Sequence, residues 1–369
     1  MRRTHWLAAA VALALTAAAC SGGDDDAETV ATATTSAATA TTAASTTTTG
    51  ASTTTTTAAS TTTTTTLPTD VIRMPLTGEP IDDASEIPDR PALVVKLSNA
   101  GPDALPQAGL NSTDIVIEEV INDAVSRFAA VFHSQDADPI GPVRSGRAQD
   151  INILLAFQRP LFAWSGGNPS VTRTIRESEL IDLSMQHSPG YYRRSGRRGP
   201  NNVFTSTDVL WSQTTEDAGR PIPLFTYLAP GEDPEGDAAS TIDLMFDSLP
   251  VSWQYDEAEG RYYRFQSGSP HNTETSNGVE QVWADNIVVM LADYGVNTFD
   301  GNPDAQTQGS NPAYVFSKGT VREGVWLRFE PSDPIGLYDN LDDQNDIGLV
   351  AGRTWLEIPR NRDGTLTFD

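Results

Sequence analysis

Short runs of apolar and β-branched residues recur after residue 71, and each is bounded by a cluster of Pro, Gly, Asn or Asp. Runs of this kind, set between residues that favour turns, are typical of buried strands. They predict four strands in the first half of the folded part of the chain, at 92–97, 114–121, 127–133 and 160–164.

One stretch between these strands has the spacing of an amphipathic helix. Residues 147–157 place four apolar side chains near helical spacing, namely Ile151, Leu154, Leu155 and Phe157. Ser145 precedes this stretch and is a natural N-cap for a helix. Two shorter helices are predicted after Ser170 and after Thr207. The segment 71–239 is therefore predicted to be a mixed α/β domain.

The apolar runs of the second half are arranged as hairpins. Two pairs of alternating runs flank short turns, 252–255 with 261–266 and 314–317 with 320–329. A continuous apolar run at 286–291 and a last run at 354–358 predict two further strands. Residues 240–369 are therefore predicted to form a β-rich domain or subdomain packed against the first, and the predicted fold class is α+β.

The N-terminus has the parts of a secretory signal. Arg2 and Arg3 give a positive region, and the apolar run 6–19 is too short to span a bilayer, which takes about 20 residues. Residues 1–19 are therefore predicted to be a signal peptide. Three Ala residues lead into Cys20, which resembles a bacterial lipobox, where cleavage leaves the Cys as an acylated first residue. A plain signal peptide that leaves Cys20 as a free thiol is the alternative.

Lipidation of Cys20 predicts a protein attached to the extracytoplasmic face of the cell membrane. Two acyl chains make a stable anchor, whereas a free exposed thiol outside the cell is reactive. The residues that follow, up to position 70, are mostly Thr, Ala and Ser. Because they have almost no apolar bulk to offset chain entropy, 20–70 is predicted to be the lipidated Cys and a disordered spacer.

Overall composition excludes several classes of function. The chain has 369 residues, with 49 Asp+Glu against 24 Lys+Arg and a net charge of -25, so a generally basic surface for nucleic acid is excluded. A single Cys excludes a disulfide within the chain and a Cys-rich zinc site. Three isolated His residues, at 133, 187 and 271, give no metal-binding pattern, and no cofactor is expected.

Positive charge is concentrated in one segment of this acidic chain. Residues 144–198 contain nine Arg and four acidic residues. Two interpretations stay open: the arginines form ion pairs with the many carboxylates elsewhere, or they form a site for an anion. Arg outnumbers Lys throughout the chain, so the choice of Arg alone does not indicate bidentate recognition.

Two short stretches in this segment favour the anion site. Residues 141–147 combine a turn, a helix start and two arginines, and helix N-termini present unpaired N–H groups to anions. Residues 165–169 contain two glycines between a strand and a helix, where the backbone can approach a ligand closely. The predicted ligand-binding residues are Arg144, Ser145, Arg147, Asp150, Ser165, Gly166, Gly167, Arg198, Asn201 and Asn202.

Several stretches together resemble a known family. The stretches are 75–78, 127–147, 165–169 and 198–202, and similar residues continue in the second half as far as position 360. In order and spacing they look like the YerB-like bacterial lipoproteins, the family of domain of unknown function 3048. The resemblance implies a two-part lipoprotein exposed in the cell envelope and implies no established activity. This chain has Asn201 where His is expected in most relatives, which removes a possible base or metal ligand.

Two functions from different classes follow. The first is a non-catalytic envelope lipoprotein whose Arg-rich cleft binds an anionic ligand, such as a wall polymer, a muropeptide or a protein partner. The alternative is an envelope hydrolase or transferase, with Ser145 or Ser165 as nucleophile or Asp150 as acid and base. A serine within hydrogen-bond reach of His133 or His187 would favour the enzyme.

Overall fold

The computed structural model describes residues 71–122, 125–298 and 300–369. The predicted signal peptide, Cys20 and the spacer lie outside these residues. Across the described ranges the strands are β1 (Leu93–Ser98), β2 (Gln107–Ala108), β3 (Ile115–Asn122), β4 (Val125–Phe132), β5 (Leu161–Trp164), β6 (Ile181–Ser184), β7 (Tyr192–Arg193), β8 (Val203–Phe204), β9 (Asp237–Ala238), β10 (Thr241–Phe246), β11 (Leu249–Asp256), β12 (Arg261–Gln266), β13 (Ser269–Pro270), β14 (Asn272–Thr275), β15 (Gly278–Gln281), β16 (Trp283–Ala284), β17 (Asn286–Met290), β18 (Tyr294–Val296), β19 (Pro303–Ala305), β20 (Gly309–Ser317), β21 (Thr320–Arg328), β22 (Gly336–Tyr338), β23 (Thr354–Ile358) and β24 (Leu366–Phe368).

Helices are few and short in the same ranges. The α-helices are α1 (Gln149–Leu154), α2 (Pro169–Glu177) and α3 (Thr207–Trp211). Single 3-10 turns lie at Ala84–Glu86, Pro102–Ala104, Leu110–Ser112 and Leu155–Phe157. The protein is therefore dominated by strands, and the predicted α+β class is right only in its β part. All three α-helices of the described ranges lie in the segment 71–239, and α2 connects the parallel strands β5 and β6.

A large mixed sheet is the centre of the molecule. Its strand order is β22-β21-β20-β17-β23-β3-β4-β1-β5-β6, and β9 pairs with β21 at the side. β3 and β4 form an antiparallel hairpin, β23 runs parallel to β3, and β1, β5 and β6 run parallel to one another. Every residue of β1, β5, β17 and β23 is buried, as expected for strands that are covered on both faces.

The two halves of the sequence share this sheet. β17, β20, β21, β22 and β23 come from the second half, and β23 pairs residue by residue with β3 of the first. The described part of the chain also belongs to one compact unit. The segments 71–239 and 240–369 therefore contribute strands to one sheet and lie in one compact unit.

A second sheet covers one face of the large one. Its order is β13-β12-β11-β10-β24, with β16 beside β12. Trp253 of β11 packs edge to face on Trp355 of β23, with ring centroids 5.2 Å apart. Each such side chain removes about 150–250 Å² from water, so the contact ties the two sheets together. α1 and a separate buried cluster cover the opposite face of the large sheet.

Most predicted strands are confirmed within one or two residues. The helix expected over 147–157 is confirmed as α1 followed by a 3-10 turn, but Ser145 is not its N-cap. Ala148 occupies that position and makes no side-chain capping bond. The nearby Arg147 N–H is instead satisfied by the Asp150 side chain, at 2.7 Å, so a serine cap is not needed there. None of the helices in the described ranges is long and apolar enough to cross a bilayer.

Candidate functional site

Strands β1 and β5 separate at their carboxyl ends, and a short segment enters between them. The two strands pair from Leu93 to Val95 and then diverge. The inserted segment bonds to both sides: Arg144 N–H donates to the Lys96 carbonyl at 2.8 Å, and Ser165 N–H donates to the Arg144 carbonyl at 2.9 Å. The carboxyl ends of parallel strands are a common location for ligand sites in open sheets.

Arg127 reaches the same place from the adjacent strand β4. It is paired in register with Ser98 of β1 and Glu119 of β3, and its side chain is buried, with 5% relative exposure. Its Nη1 donates to the Ser145 carbonyl at 2.7 Å. The strand thus holds the loop that carries Arg144 and Arg147.

Arg127, Arg144 and Arg147 form what we call the arginine cluster. Burial lowers the pKa of Arg127 to about 9, and the positive charges of Arg147 and Arg144 add to this effect. Burial and the charge of Arg147 likewise lower the pKa of Arg144. Both pKa shifts include repulsion between the positive charges of these arginines.

Carboxylates act on the arginine cluster only at a distance, since the charges of Asp150 and Glu119 oppose part of the fall in the pKa of Arg127. Among the described residues, none of the three forms an ion pair within 4.0 Å, although fifteen such pairs occur elsewhere in the same ranges. The Nε atom of each is buried without a hydrogen-bond partner. Buried donors of this kind are normally satisfied, so the cluster has unused capacity for an anion.

The acidic residues that could have neutralised the cluster have other partners. Glu118 bonds to Arg264 through a contact of 2.6 Å on the opposite face of the sheet. Asp150 and Glu119 both contact Lys96, whose Nζ lies 2.5 Å from Asp150 Oδ1. The arginines therefore form no direct ion pair with Asp150, Glu118 or Glu119, although the charges of Asp150 and Glu119 still raise the pKa of Arg127.

Asp150 itself is fully buried, which corrects its predicted role. Burial pushes its pKa upward, but Lys96 and hydrogen bonds from Glu119, Lys96 and the Arg147 N–H outweigh burial, and the pKa lies below its ordinary value. Burial raises the pKa of Glu119 to about 8, opposed by Lys96 and reinforced by Asp150. Asp150 holds the backbone of Arg147 in place from a buried position, which a ligand in solvent does not reach.

The glycine stretch after β5 borders the same region. Gly166 has a φ of +109°, a backbone conformation that favours glycine, and a Cβ there would lie 2.8 Å from Gln186 Nε2. Gly167 is exposed and lines an open groove of about 660 Å³ beside α2, together with Arg173, Arg176 and His187. Ser165 is partly buried and contributes its backbone N–H to the inserted segment.

The predicted stretch 198–202 lies beside β1 through Asn201, and the residue that follows it, Val203, contacts the inserted segment. The buried Asn201 accepts a hydrogen bond from Ser98 Oγ at 2.8 Å, and Val143 N–H donates to the Val203 carbonyl at 2.8 Å. Asn202 accepts from Arg193 Nη1 at 2.8 Å. The side chain of Arg198 is exposed and joins none of these contacts in the described part of the chain. Three of the predicted stretches therefore converge, while the Arg198 side chain stays outside.

Three charged residues of the site are not among the predicted ligand-binding residues: Lys96, Glu119 and Arg127. Each lies in an apolar run that predicts a strand, and the run was interpreted only as secondary structure. The signal in the sequence is a charged residue inside an apolar run that predicts a buried strand. Lys, Glu and Arg are almost never fully buried unless they have partners. Lys96 and Glu119 therefore indicated a buried polar contact on one face of the sheet.

The arrangement expected for the enzyme alternative is not formed by the histidines. His133 lies at the far end of β4, and His187 Nε2 lies 3.0 Å from Arg176 Nη1. Within residues 71–122, 125–298 and 300–369, no hydrogen bond connects Ser145 or Ser165 to either ring. In those ranges there is also no group of three His, Cys, Asp or Glu side chains placed to hold a metal ion.

Comparisons with known proteins agree with the two-segment description. Residues 76–220 match the model described as "Protein of unknown function (DUF3048) N-terminal domain", and residues 242–356 match the model of its C-terminal domain. A Bacillus subtilis (strain 168) protein, YerB, whose name carries a provisional assignment as a lipoprotein, is 24% identical over 301 residues. The match covers 79% of this chain and 87% of the relative.

The fold is also similar to a solved structure. The crystal structure of YerB from Bacillus subtilis has a TM-score of 0.69 and 22% sequence identity to this chain. The similarity covers 81% of this chain and 99% of that one. The large sheet with its covering second sheet is therefore a fold that the two proteins share.

Proposed function

This chain belongs to the DUF3048 family, and from that premise we propose that it is a lipoprotein of the bacterial cell envelope that binds an anionic ligand at the arginine cluster. The name of the Bacillus subtilis relative supports the lipoprotein assignment. So does the sequence before Cys20, which has the charged start, short apolar run and small residues of a lipoprotein signal. The lipid on Cys20 would hold the protein at the extracytoplasmic face of the membrane.

The observation that supports the binding proposal is that the three arginines form no direct ion pair among the described residues and that their Nε atoms are buried without hydrogen-bond partners. Two like charges 4 Å apart repel by about 4 kcal/mol at an effective dielectric constant of 20. A protein with 49 acidic residues has many carboxylates with which to neutralise such a group. Because the fold keeps these arginines unpaired, a bound anion is the species that would offset their charge.

The chemistry of the donors limits the ligand to an oxyanion. Guanidinium groups bind carboxylate and phosphate oxygens through paired N–H donors. In the envelope these groups occur on phosphate-containing wall polymers, on muropeptide carboxylates and on acidic segments of partner proteins. Arg144 and Arg147 are only partly buried, so they can contact a polymer from solvent, while Arg127 provides charge from within.

A binding titration with matched variants tests the proposal. Purified muropeptides and a phosphate-containing wall polymer are titrated into the protein, into the Arg144→Ala/Arg147→Ala variant and into an Arg322→Ala/Arg362→Ala control. The control removes the same charge from two solvent-accessible arginines that form ion pairs with Glu235 and Asp247, and Arg322 lies on β21, distant in the sheet order from β1.

The expected result is a selective loss of affinity. Each lost charge-assisted hydrogen bond is worth about 1.5–3 kcal/mol, which corresponds to about tenfold or more per arginine. The control should keep nearly its full affinity, apart from a small effect that added salt screens. Equal affinity in all three proteins, for both ligands, would reject the cluster as the binding site.

A further inference from the structure

A lysine and two carboxyl groups are enclosed together beneath the arginine cluster. Lys96 extends from β1, Glu119 from β3 and Asp150 from α1, and the relative exposure of the three residues is 0%, 1% and 0%. Lys96 Nζ contacts Glu119 Oε1 and lies 2.5 Å from Asp150 Oδ1. An amine and a carboxyl group are thus held in contact in a place that water does not reach.

The choice of lysine at this position is unusual for this protein. Of the 24 basic residues, only Lys96 and Lys318 are lysines. Elsewhere, at buried or half-buried positions such as Arg264, Arg328 and Arg353, the chain uses arginine. Arginine suits a buried ion pair better than lysine, because its fixed planar fork satisfies carboxylate oxygens at lower entropic cost. What lysine offers and arginine does not is an amine that becomes nucleophilic when it loses its proton.

Two groups beside Asp150 would assist attack on its carboxyl carbon once Lys96 has given the carboxylate a proton. The Arg147 N–H donates to Asp150 Oδ2 at 2.7 Å, and a backbone N–H in this position stabilises negative charge that develops on a carboxyl oxygen. Glu119 is hydrogen bonded to Asp150, and because burial raises its pKa to about 8, it holds a proton that it can donate to this carboxyl group. The enclosed residues therefore supply a nucleophilic amine on Lys96 and a carboxyl group on Asp150 that it can attack. The Arg147 N–H stabilises the oxyanion, and Glu119 is the acid.

We propose that Lys96 and Asp150 become joined by an intramolecular amide bond, with Glu119 as the acid that promotes its formation. The Lys96 ammonium gives a proton to the Asp150 carboxylate, and the free amine attacks the Asp150 Cγ. The Glu119 carboxyl group donates a proton to the departing hydroxyl and takes one back from the new C–N nitrogen. One amide and one water are formed, Glu119 is regenerated, and no oxidant or cofactor is needed.

The bond would act as a covalent staple in a protein that has no disulfide within its chain. It closes a loop of 54 residues between β1 and α1, and such a link restricts the unfolded chain as a disulfide does. The loop contains both Arg144 and Arg147. The new amide bond also replaces a buried ion pair, which is costly to desolvate, with a neutral group.

Digestion of the full-length chain with lysyl endopeptidase tests the proposal directly. The protein is denatured in urea and digested, and the enzyme has two target bonds, after Lys96 and after Lys318. We expect cleavage after Lys318 only, because an acylated Lys96 is not recognised. The fragment that ends at Lys318 should be lighter by one water, about 18 Da. Lys318 is the internal control, since it lies in an exposed ion pair with Asp233.

Complete cleavage after Lys96, with the unmodified mass, would overturn the proposal. Tandem mass spectrometry of the wild-type digest should find a branched peptide joining Lys96 to Asp150, and a branch on Glu119 would overturn the assigned acceptor. The variants Glu119→Gln and Asp150→Ala should restore cleavage after Lys96. Because the wild-type digest is decisive alone, the result does not depend on whether these variants fold.

Discussion

Arg127 and Ser145 are joined by a hydrogen bond of 2.7 Å, from a guanidinium on a buried strand to the carbonyl of a loop. The loop carries Arg144 and Arg147, so this bond holds three positive charges in one place. Arg127 therefore both holds the loop and belongs to the arginine cluster. A variant at this position shows whether Arg127 contributes mainly to the stability of the fold or to the affinity for the ligand.

Replacement of Arg127 by Met should leave the free energy of unfolding within about 1 kcal/mol of the wild type, because the lost hydrogen bond is offset by removal of a buried, repelled charge. Affinity for the anionic wall ligand should fall at least about tenfold.

Arg328→Met is the contrasting variant, because Arg328 has a structural role. Arg328 donates to four backbone carbonyls, so its loss should destabilise by about 3 kcal/mol or more. Urea unfolding and ligand titration measure the two quantities, and a large loss of stability in Arg127→Met would show a structural role only.

Replacement of Gly146 by Ala tests the packing under the loop. A Cβ at this position would lie 2.8 Å from Ile175 Cδ1 and 3.1 Å from Trp164 Cε3, so we expect destabilisation by about 1–3 kcal/mol. The control is Gly295→Ala, where a Cβ would meet its nearest atom at 3.6 Å. Urea midpoints compare the two variants, and a tolerated Gly146→Ala would mean that α2 and β5 do not pack as tightly as described.

Acid should destabilise the protein partly through His133. Burial lowers the pKa of this ring to about 4 from 6.5, and the charge of Arg90 adds to the shift. The folded state thus binds fewer protons than the unfolded state between these values, so stability is full above pH 6.5 and falls as the pH approaches 4. The loss is about 2–3 kcal/mol. His133→Phe should flatten the dependence of unfolding free energy on pH in this window.

Replacement of Cys20 by Ser tests the anchor. Without the thiol there is no site for acylation, so the protein should leave the membrane fraction or persist as an unprocessed precursor. Fractionation and the mass of the N-terminal peptide measure this. A variant that stays membrane-bound and is normally processed would contradict lipidation.

The sequence was informative about local elements and less so about their partners. The strand 354–358 is predicted with its observed ends because an apolar, β-branched run is bounded by turns. Its parallel pairing with β3, more than two hundred residues earlier, has no local signal. For the same reason the change of composition near residue 239 predicts a boundary there, although strands on both sides share a sheet.

The residues of the candidate site are likewise predictable only where the sequence signal is local. Arg144, Arg147 and Ser165 lie in stretches whose turns and charges are visible in the sequence, and the structure brings these residues together. Arg127 was not predicted as a site residue, because its position depends on which strand lies beside β1. Asp150 is predicted as a ligand-binding residue because it follows the arginines. In the structure its side chain points inward from α1 and contacts Lys96.

The most direct test of the central claim is a crystal structure of the protein soaked in tungstate, an anomalously scattering analogue of phosphate. The account predicts an anomalous peak within hydrogen-bond distance of the guanidinium groups of Arg144 and Arg147, on the side of the cluster that faces solvent. That peak should vanish in Arg144→Ala/Arg147→Ala crystals and persist in the Arg322→Ala/Arg362→Ala control. An empty cluster, in crystals that bind tungstate elsewhere, would contradict the claim that these arginines form an anion site.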